Sequence, residues 1–408
     1  MLNIIFATFF LTSFVVACIQ SLLFNDYEIW TLLVNELFNS AKSAFTISIN
    51  LTGMLCLWLG LLKIAENSGL TNLLAKILRP LFKKIMPDIP ENHPAIGSIV
   101  MNMAANILGL DNAATPMGLK AMEQLQELNP QKDTATNAQI MFMVINASSV
   151  TLIPISILMY RTELGASNPC SVFIPILIAT SLSTLAGFLS VAFTQKISIF
   201  NKTILIYIGG FACLILSIAY YFHSLPSDTR LTFSTNIGNF ILFFIISLFM
   251  VAGVIRKINV YETFIEGAKE GFNIAIKIIP YLVAMLTAIA VFRTSGLMQY
   301  LTDIIEFVLQ KFNLDTTFVA ALPTALMKPL SGSGARAMMI ETLNTYGADS
   351  FQGFVSSVIQ GSTETTFYVL AVYFGAVKIS KTRHALPCAL FADFVGIVTA
   401  IFLSYMFY

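Results

Sequence analysis

The stretch Ala325-Leu326-Met327-Lys328-Pro329-Leu330-Ser331-Gly332-Ser333-Gly334-Ala335-Arg336 interrupts an apolar region in the second half of the chain. The hydrophobic runs on either side are each too short to cross a bilayer alone. A residue before proline avoids helical geometry, proline has no N–H, and glycine permits unusual backbone angles. We therefore predict a helical hairpin that breaks at Lys328-Pro329 and restarts near Ala335.

A second interrupted stretch lies in the first half of the chain. It comprises Asn102-Met103-Ala104-Ala105-Asn106 and Asp111-Asn112-Ala113-Ala114-Thr115-Pro116. Thr115 followed by Pro116 is typical of a helix start, and Asn102 and Asn106 are spaced to share one helical face. Non-helical backbone at membrane depth is tolerated only inside protein or beside a watery cavity. Paired breaks at matching places in two halves point to a transport site.

Composition places the chain among integral membrane proteins. Of its 408 residues, 56% are hydrophobic and only 11% are charged, whereas soluble domains are about a quarter charged. The formal net charge of +1 argues against a nucleic-acid partner. The five cysteines and three histidines are scattered without metal-site spacing, and no Gly-x-Ser-x-Gly elbow or phosphate-binding loop occurs. We expect neither enzymatic activity nor a cofactor.

The two halves of the chain carry the same pattern. Ser68-Gly69-Leu70 matches Ser295-Gly296-Leu297 at an offset of 227 (295 − 68), and the polar run 146–149 corresponds to 360–363. Internal repeats decide architecture, so they are weighed first. We predict an all-α polytopic membrane protein with two inverted repeats, each with a re-entrant helical hairpin and a broken transmembrane helix. The apolar opening is expected to be a first span, followed by an interfacial helix over residues 24–38.

Charges beside the spans predict the orientation. The basic residues of four segments all lie inside if Met1 is cytoplasmic: Lys76 to Lys84, Lys196 to Lys202, Arg256-Lys257, and Lys378 to Arg383. With re-entrant hairpins, the first repeat then starts outside and the second starts inside, so the repeats are inverted. The predicted units are residues 1–202 and 203–408 of a multi-pass protein of the bacterial cytoplasmic (inner) membrane. The alternative, in which every interrupted pair spans fully, remains open.

Polar residues at the breaks are candidates for solute binding. The free N–H groups of a restarting helix and Arg336 would favour an anion or a hydroxyl-rich ligand, whereas a tight turn with close backbone contact is the structural alternative. Amides at membrane depth need a neighbouring helix or a solute as partner. The predicted substrate-binding residues are Asn102, Asn106, Asp111, Asn112, Thr115, Asn146, Ser148, Ser331, Gly332, Ser333, Gly334, Arg336, Gln360, Ser362 and Thr363.

Two carboxylates inside apolar runs are candidates for ion coupling. An intramembrane acid is costly unless it is paired or protonated. Glu364 could carry a proton or ligate Na⁺ together with Thr365, and an ion pair with Arg336 or Lys328 is the structural alternative. Asp393, in the last span, could face the same cavity, or could form a hydrogen bond to a neighbouring helix. Na⁺ or H⁺ is therefore the expected coupling ion.

Several of these motifs resemble a known family. The first half resembles spore maturation protein A through residues 93–97, 101–106 and 109–116, from His93-Pro94-Ala95-Ile96-Gly97 onward. The second half resembles spore maturation protein B through residues 266–272, 329–334 and 361–368. The resemblance implies a fusion of the two and membership of the nucleoside-recognition gate superfamily. That superfamily is distantly similar to concentrative nucleoside transporters, which have inverted repeats, re-entrant hairpins and Na⁺- or H⁺-coupled uptake.

Two functions from different classes follow. The first is ion-coupled secondary transport of a small polar or anionic solute, nucleoside-like by resemblance, at the hairpin tips. The second is a non-transporting membrane scaffold or assembly factor of the spore-maturation type. Membrane lipid is an expected partner in both cases, and homo-oligomerisation stays open.

Overall fold

The computed structural model describes residues 2–90, 93–108, 111–313 and 315–408, without the side chains of residues 2–5, 111–113 and 227–228. Within these ranges the chain is all-helical, and its extended structure is limited to an isolated bridge between Thr134 and Lys381. Seven of the described helices are long and apolar enough to cross a membrane. The prediction of an all-α polytopic membrane protein is confirmed at this level.

Eight helices make up the first half of the described chain. They are α1 (Leu2–Leu23), α2 (Glu28–Asn67), α3 (Leu70–Ile85), α4 (Pro94–Ile107), α5 (Asp111–Glu127), α6 (Asn137–Ala147), α7 (Ile155–Glu163) and α8 (Phe173–Thr194). The second half contains α9 (Lys202–Ile204), α10 (Gly210–Ser224), α11 (Ser227–Ile255), α12 (Val260–Thr294), α13 (Leu297–Lys311), α14 (Leu322–Met327), α15 (Gly332–Tyr346), α16 (Phe351–Gly361), α17 (Thr366–Ala376) and α18 (Ala385–Phe407).

The order of elements recurs in the two halves. A long helix (α2 or α12) leads into an amphipathic helix (α3 or α13), a helical hairpin, a helix broken in the middle, and a final span (α8 or α18). The junction before each amphipathic helix is the same: Gly69 has φ 78° and Gly296 has φ 85°. Only glycine adopts this left-handed geometry without strain. The matched Ser-Gly-Leu motifs therefore occupy equivalent turns. The boundary at residue 202 stays a prediction.

Matched helices of the two halves pack antiparallel. Along α2 and α12, Glu36 pairs with Arg293, whereas Gly60 faces Phe264 near the other end. The same holds for α8 and α18, where Thr194 contacts Cys388 and the earlier Ser183 contacts the later Gly396. Small residues bring the backbones of α2 and α12 close, because a Cβ added to Gly271 would stand 2.6 Å from the Leu55 carbonyl oxygen.

Loop contacts join the halves at both ends of the helices. At one end the loop after α5 meets the loop after α17, where Arg383 donates to the Ala135 carbonyl at 3.0 Å. At the other end the loop after α15 meets the end of α7 and the loop after it, where the Ser167 N–H donates to the Asp349 carboxylate at 2.9 Å and the buried Arg161 donates to the Ala348 carbonyl at 2.9 Å. Because α5 corresponds to α15 and α17 to α7 in the order of elements, corresponding loops of the two halves meet at both ends.

Three helix starts differ from expectation. The interfacial helix predicted over residues 24–38 is wrong, since Glu28–Asn67 is one helix of 40 residues whose first turns bury Ile29 and Leu33. The helix expected to begin at Thr115 begins at Asp111 and contains Pro116. Inside a helix, Pro116 removes its own N–H bond and crowds the carbonyl four residues before it, and α5 nevertheless includes the turn ahead of it.

The third difference concerns the second hairpin. The break at Lys328-Pro329 is confirmed because α14 ends at Met327. The helix expected to restart near Ala335 begins at Gly332, however. Ser331 is its N-cap, and the Ser331 hydroxyl accepts a hydrogen bond from the Gly334 N–H at 3.0 Å. A serine at this position satisfies a donor that the helix start otherwise leaves free.

His384, at the loop cluster beside α18, gives a pH prediction. Burial, and then the nearby Arg383 charge, lower the pKa of His384 from its ordinary value of 6.5. The unfolded chain then binds more protons, so the stabilising contribution is complete above about pH 6.5 and is lost as pH falls through the lowered pKa. We expect the melting temperature to fall between pH 7 and 5.5, and less steeply in His384→Gln. Equal slopes in both proteins would contradict this assignment.

Candidate functional site

A central cavity of about 330 Å³ lies where the two broken helices cross. Its walls come from α2, α7, α12 and α15 and from the non-helical segments after α6 and α16. Seven of the predicted site residues line it: Asn106, Gly332, Arg336, Gln360, Thr363, Glu364 and Thr365. Elements distant in sequence thus bring both halves to a single site.

The breaks in the two halves contact each other directly. The Glu364 N–H donates to the Ala147 carbonyl at 3.0 Å, which joins the end of α6 to the segment between α16 and α17. The break in the first half is also fixed to the first hairpin, because the Leu152 N–H donates to the Ile107 carbonyl at 3.0 Å. Backbone groups freed by the breaks therefore pair with the opposite half or with the adjacent hairpin, as membrane-depth backbone must.

An amide ladder connects the first hairpin to the first break. The buried Asn102 amide donates to the Ala114 carbonyl at 2.7 Å and so ties α4 to α5. The Asn106 amide donates to the Asn146 side-chain oxygen at 2.9 Å, and the Asn146 amide donates in turn to the Phe142 carbonyl. Asn102 and Asn146 thus position the hairpin, whereas Asn106 also faces the cavity.

The Asn106 to Asn146 contact should be measurable in a double-mutant cycle. Replacing either residue by Ala leaves a polar group without its partner, and a hydrogen bond of this kind contributes about 1 kcal/mol net. We expect Asn106→Ala and Asn146→Ala to show a coupling of that size in unfolding free energy. Glu306→Gln, on α13 and outside the cavity, is the control and should add independently to Asn106→Ala. If the losses of unfolding free energy in the two asparagine variants simply add in the double variant, the contact contributes no coupling energy.

The tip of the second hairpin packs on the second break. The Phe367 N–H donates to the Pro329 carbonyl at 3.0 Å, and a Cβ on Gly332 would stand 2.7 Å from the Thr365 hydroxyl. Ser331 and Ser333 line an adjoining cavity of about 1040 Å³, which shares Gly332, Arg336, Glu364 and Thr365 with the central one. The tight turn therefore forms part of the cavity wall. The two alternatives for this stretch, a close-contact turn and a solute-binding site, are compatible.

Several buried polar atoms on the cavity wall have no hydrogen-bond partner in the protein. They are the Arg336 Nε, the Gln360 Oε1 and the Trp58 Nε1. The Arg336 guanidinium lies 5.8 Å from the centre of the Tyr160 ring. Buried polar groups are nearly always paired, so unpaired ones call for an explanation. Arg336, Gln360 and Trp58 line the same cavity as Tyr160, and a wall of two aromatic rings with a few polar side chains suits a planar polar ligand.

The two predicted coupling carboxylates occupy different settings. Glu364 is exposed to the cavity, and none of the ion pairs between described residues joins it to Arg336. Asp393 is 1% exposed and lines neither cavity. No hydrogen bond of normal geometry reaches its carboxylate, although the hydroxyls of Thr363 and Thr366 lie close enough to interact with it. Asp393 is thus behind the cavity wall.

The other predicted residues lie around the cavities. Ser148 and Ser362 are buried at the two breaks, each with its hydroxyl bonded to its own helix. Gly334 is buried against Met327, and Thr115 lies on α5 away from both cavities. The side chains of Asp111 and Asn112 lie outside the described residues.

Sequence reasoning missed two kinds of cavity residue. Trp58 and Tyr160 are aromatic residues within apolar helices, and nothing in such a run separates a cavity wall from ordinary packing. Lys63 forms ion pairs with Glu66, at 3.3 Å, and with Glu270, at 3.8 Å, at one end of the cavity. The only available signal was that the three charges lie within predicted spans or at their ends.

One known protein family matches a segment in each half of the chain. A family model named Gate, described as nucleoside recognition, matches residues 48–167 and 275–380, together more than half of the chain. The segments begin 227 residues apart (275 − 48), which is the offset of the internal repeat.

Curated relatives are similar over large parts of their length. Spore maturation protein A of Bacillus subtilis (strain 168) is 45% identical over 151 residues, which cover 37% of this chain and 77% of the relative. Spore maturation protein B of the same organism is 46% identical over 157 residues, which cover 38% of this chain and 86% of the relative. The two matches are consistent with a fusion of two such units. No solved structure matches the chain.

Proposed function

We propose, from the premise that this chain belongs to the Gate family described as nucleoside recognition, that it is a secondary transporter. It binds a small polar solute in the central cavity. The observation that carries the proposal is the set of unpaired polar atoms of Arg336, Gln360 and Trp58 at the place where both helix breaks meet. Transport needs no covalent chemistry, so we propose no enzymatic role and no cofactor.

The architecture we propose is a pair of inverted repeats with re-entrant hairpins. Antiparallel packing of α2 on α12 and of α8 on α18 supports an axis in the membrane plane, because rotation about the membrane normal would leave matched helices parallel. The two ends of the second hairpin support re-entry, since Thr317 and Asp349 both contact the end of α18, through Tyr405 and Tyr408. Inverted repeats with discontinuous helices are typical of alternating-access carriers.

The chemistry of the cavity supports a nucleoside-like solute. Trp58 and Tyr160 offer aromatic surface to a planar ring, while Gln360 and Arg336 offer one acceptor and a charged donor. Around them lie the hydroxyls of Ser149, Thr151 and Thr363, which can bond to a hydroxylated sugar. A mostly apolar pocket with a few convergent polar groups is the usual form of a small-molecule site.

Glu364 is the proposed coupling residue, with Na⁺ or H⁺ as the ion. Its carboxylate, the hydroxyl of Thr365 and the carbonyls of the break are hard oxygen ligands of the kind that bind small cations. The same carboxylate could bind and release a proton. Asp393 is a second candidate, reached from the cavity through Thr363.

The proposed setting is the bacterial cytoplasmic membrane with the amino terminus inside. Helix α3 and the loops on its side of the molecule carry the clusters at Lys76, Lys196, Arg256 and Lys378 to Arg383, whereas α13 at the opposite side carries Asp303 and Glu306 with a single cation, Lys311. Basic loops face the cytoplasm.

The test is binding and uptake by purified protein in vesicles. We expect uridine or adenosine to raise the melting temperature and to accumulate under a Na⁺ or proton gradient, whereas ribose and free amino acids do not. Arg336→Ala and Gln360→Ala should each weaken the thermal shift at least tenfold in ligand concentration. The matched control is Arg230→Ala, outside the cavity. Unchanged binding in both cavity variants would remove the site assignment.

A scaffold function is the second candidate, because both relatives are named for spore maturation and neither name states a transported solute. It predicts no shift with any of a broad metabolite panel and a stable protein partner that co-purifies with the wild type. Saturable uptake of any panel member would exclude it.

A further inference from the structure

A second polar pocket lies at the membrane boundary, away from the central cavity. It measures about 640 Å³ and is formed by the end of α2, by α3, by the start of α4 and by the end of α11. Lys76, Arg79 and Arg256 line it, and no described Asp or Glu does so. We call this site the basic pocket.

The three cations of the basic pocket have no acidic partner among the described residues. None of the ion pairs found there includes Lys76, Arg79 or Arg256. The pocket also contains polar groups of Asn67, Ser68 and Asn72 and the first turn of α4, a helix of 14 residues. Clustered cations beside hydrogen-bond donors and a positive helix end suit a phosphate group.

The depth of the pocket identifies the source of that phosphate. Arg256 directly follows the apolar span Thr229–Ile255, so its side chain lies at the level where hydrocarbon gives way to headgroups. On α3, Leu73 and Ile77 are 55% and 51% exposed beside Lys76. A helix that shows cations and apolar side chains together lies in the membrane surface.

We propose that the basic pocket binds the headgroup of an anionic phospholipid. Basic pockets between membrane helices on the cytoplasmic side are suited to such headgroups. The phosphodiester lies between Lys76, Arg79 and Arg256, and the acyl chains run along Leu73 and Ile77. The site has no equivalent in the second half, because the matching helix α13 carries Asp303 and Glu306. Recognition is therefore confined to one leaflet.

The test compares two variants that lose the same charge. Lys76→Gln/Arg79→Gln/Arg256→Gln removes the pocket cations, whereas Lys83→Gln/Lys84→Gln/Lys257→Gln removes three cations from the same helix and loop outside the pocket. Delipidated protein in zwitterionic detergent is titrated with phosphatidylglycerol or phosphatidylcholine, and bound lipid is counted by native mass spectrometry. We expect wild type and control to retain one phosphatidylglycerol, and the pocket variant to bind it at least tenfold more weakly.

Three results would overturn the proposal. One is equal weakening in both variants, which would mean diffuse surface attraction. Another is phosphatidylcholine binding as tightly as phosphatidylglycerol. The third is displacement of phosphatidylglycerol by 10-fold excess inorganic phosphate, which would identify a site for soluble anions. If the triple variant does not fold, Arg256→Gln against Lys257→Gln gives the same comparison with one charge, and there we expect about a fivefold difference.

Discussion

Glu364→Gln is expected to lower gradient-driven solute accumulation at least tenfold in reconstituted vesicles. The Glu364 side chain is exposed in the central cavity, and its backbone N–H bonds to Ala147 whatever the side chain is. Glutamine keeps the shape and removes only the charge and the titrating proton. If Glu364 couples ion to solute, exchange of solute across the vesicle without a gradient should persist while accumulation fails.

The matched control is Glu306→Gln, a carboxylate on α13 outside both cavities. It should accumulate solute as wild type does. Accumulation that survives Glu364→Gln at full rate would exclude Glu364 from coupling and leave Asp393 as the candidate. Equal loss of exchange and accumulation would instead place Glu364 in solute binding.

Gly271→Leu should strongly destabilise the contact between the two halves. A Cβ at Gly271 would stand 2.6 Å from the Leu55 carbonyl oxygen and 2.8 Å from the Cys56 Cα, so α2 and α12 must separate. Backbone cannot yield as a flexible side chain can, and overpacking of this kind costs about 3 kcal/mol. We expect a melting temperature lower by several degrees and loss of solute binding, because α2 and α12 both line the cavity.

Gly53→Leu provides the control on the same helix pair. Gly53 lies on α2 with nothing within 4 Å of an added Cβ, so leucine there should leave the melting temperature unchanged or raise it slightly. Equal melting temperatures of the Gly271 and Gly53 variants would show that the close approach of α2 and α12 contributes little to stability.

The sequence predicted breaks better than it predicted helix starts. Proline and paired glycines disrupt helices through their own covalent structure, so the end of α14 at Met327 follows from local residues. Helix starts depend on capping and packing. Glu28 to Phe38 contains polar residues at interfacial spacing, yet Ile29 and Leu33 pack against α1 and α12 and extend α2. That contact involves residues far apart in the chain.

The candidate site was predictable in kind but not in composition. Polar residues at the breaks could be identified because polar groups in apolar runs are costly, and six of the predicted ones line the cavity. Which ones serve each other could not be inferred, since Asn102 and Asn146 are paired within the protein and Gln360 is not. Trp58 could not be identified as a cavity residue, because the sequence pattern around an aromatic residue is the same in a packed core and in a cavity wall.

The reciprocal contacts between the halves bear on how such a molecule assembles. Each half contributes one side of every contact between them. These contacts are α2 against α12, α8 against α18, and one helix break against the other through Glu364 and Ala147. When only residues 1–202 have been synthesised, one wall of the central cavity is therefore present but the cavity itself is not. The cavity forms when the second half packs against the first. The linking segment, residues 195–201, keeps the two halves close to each other until they do so.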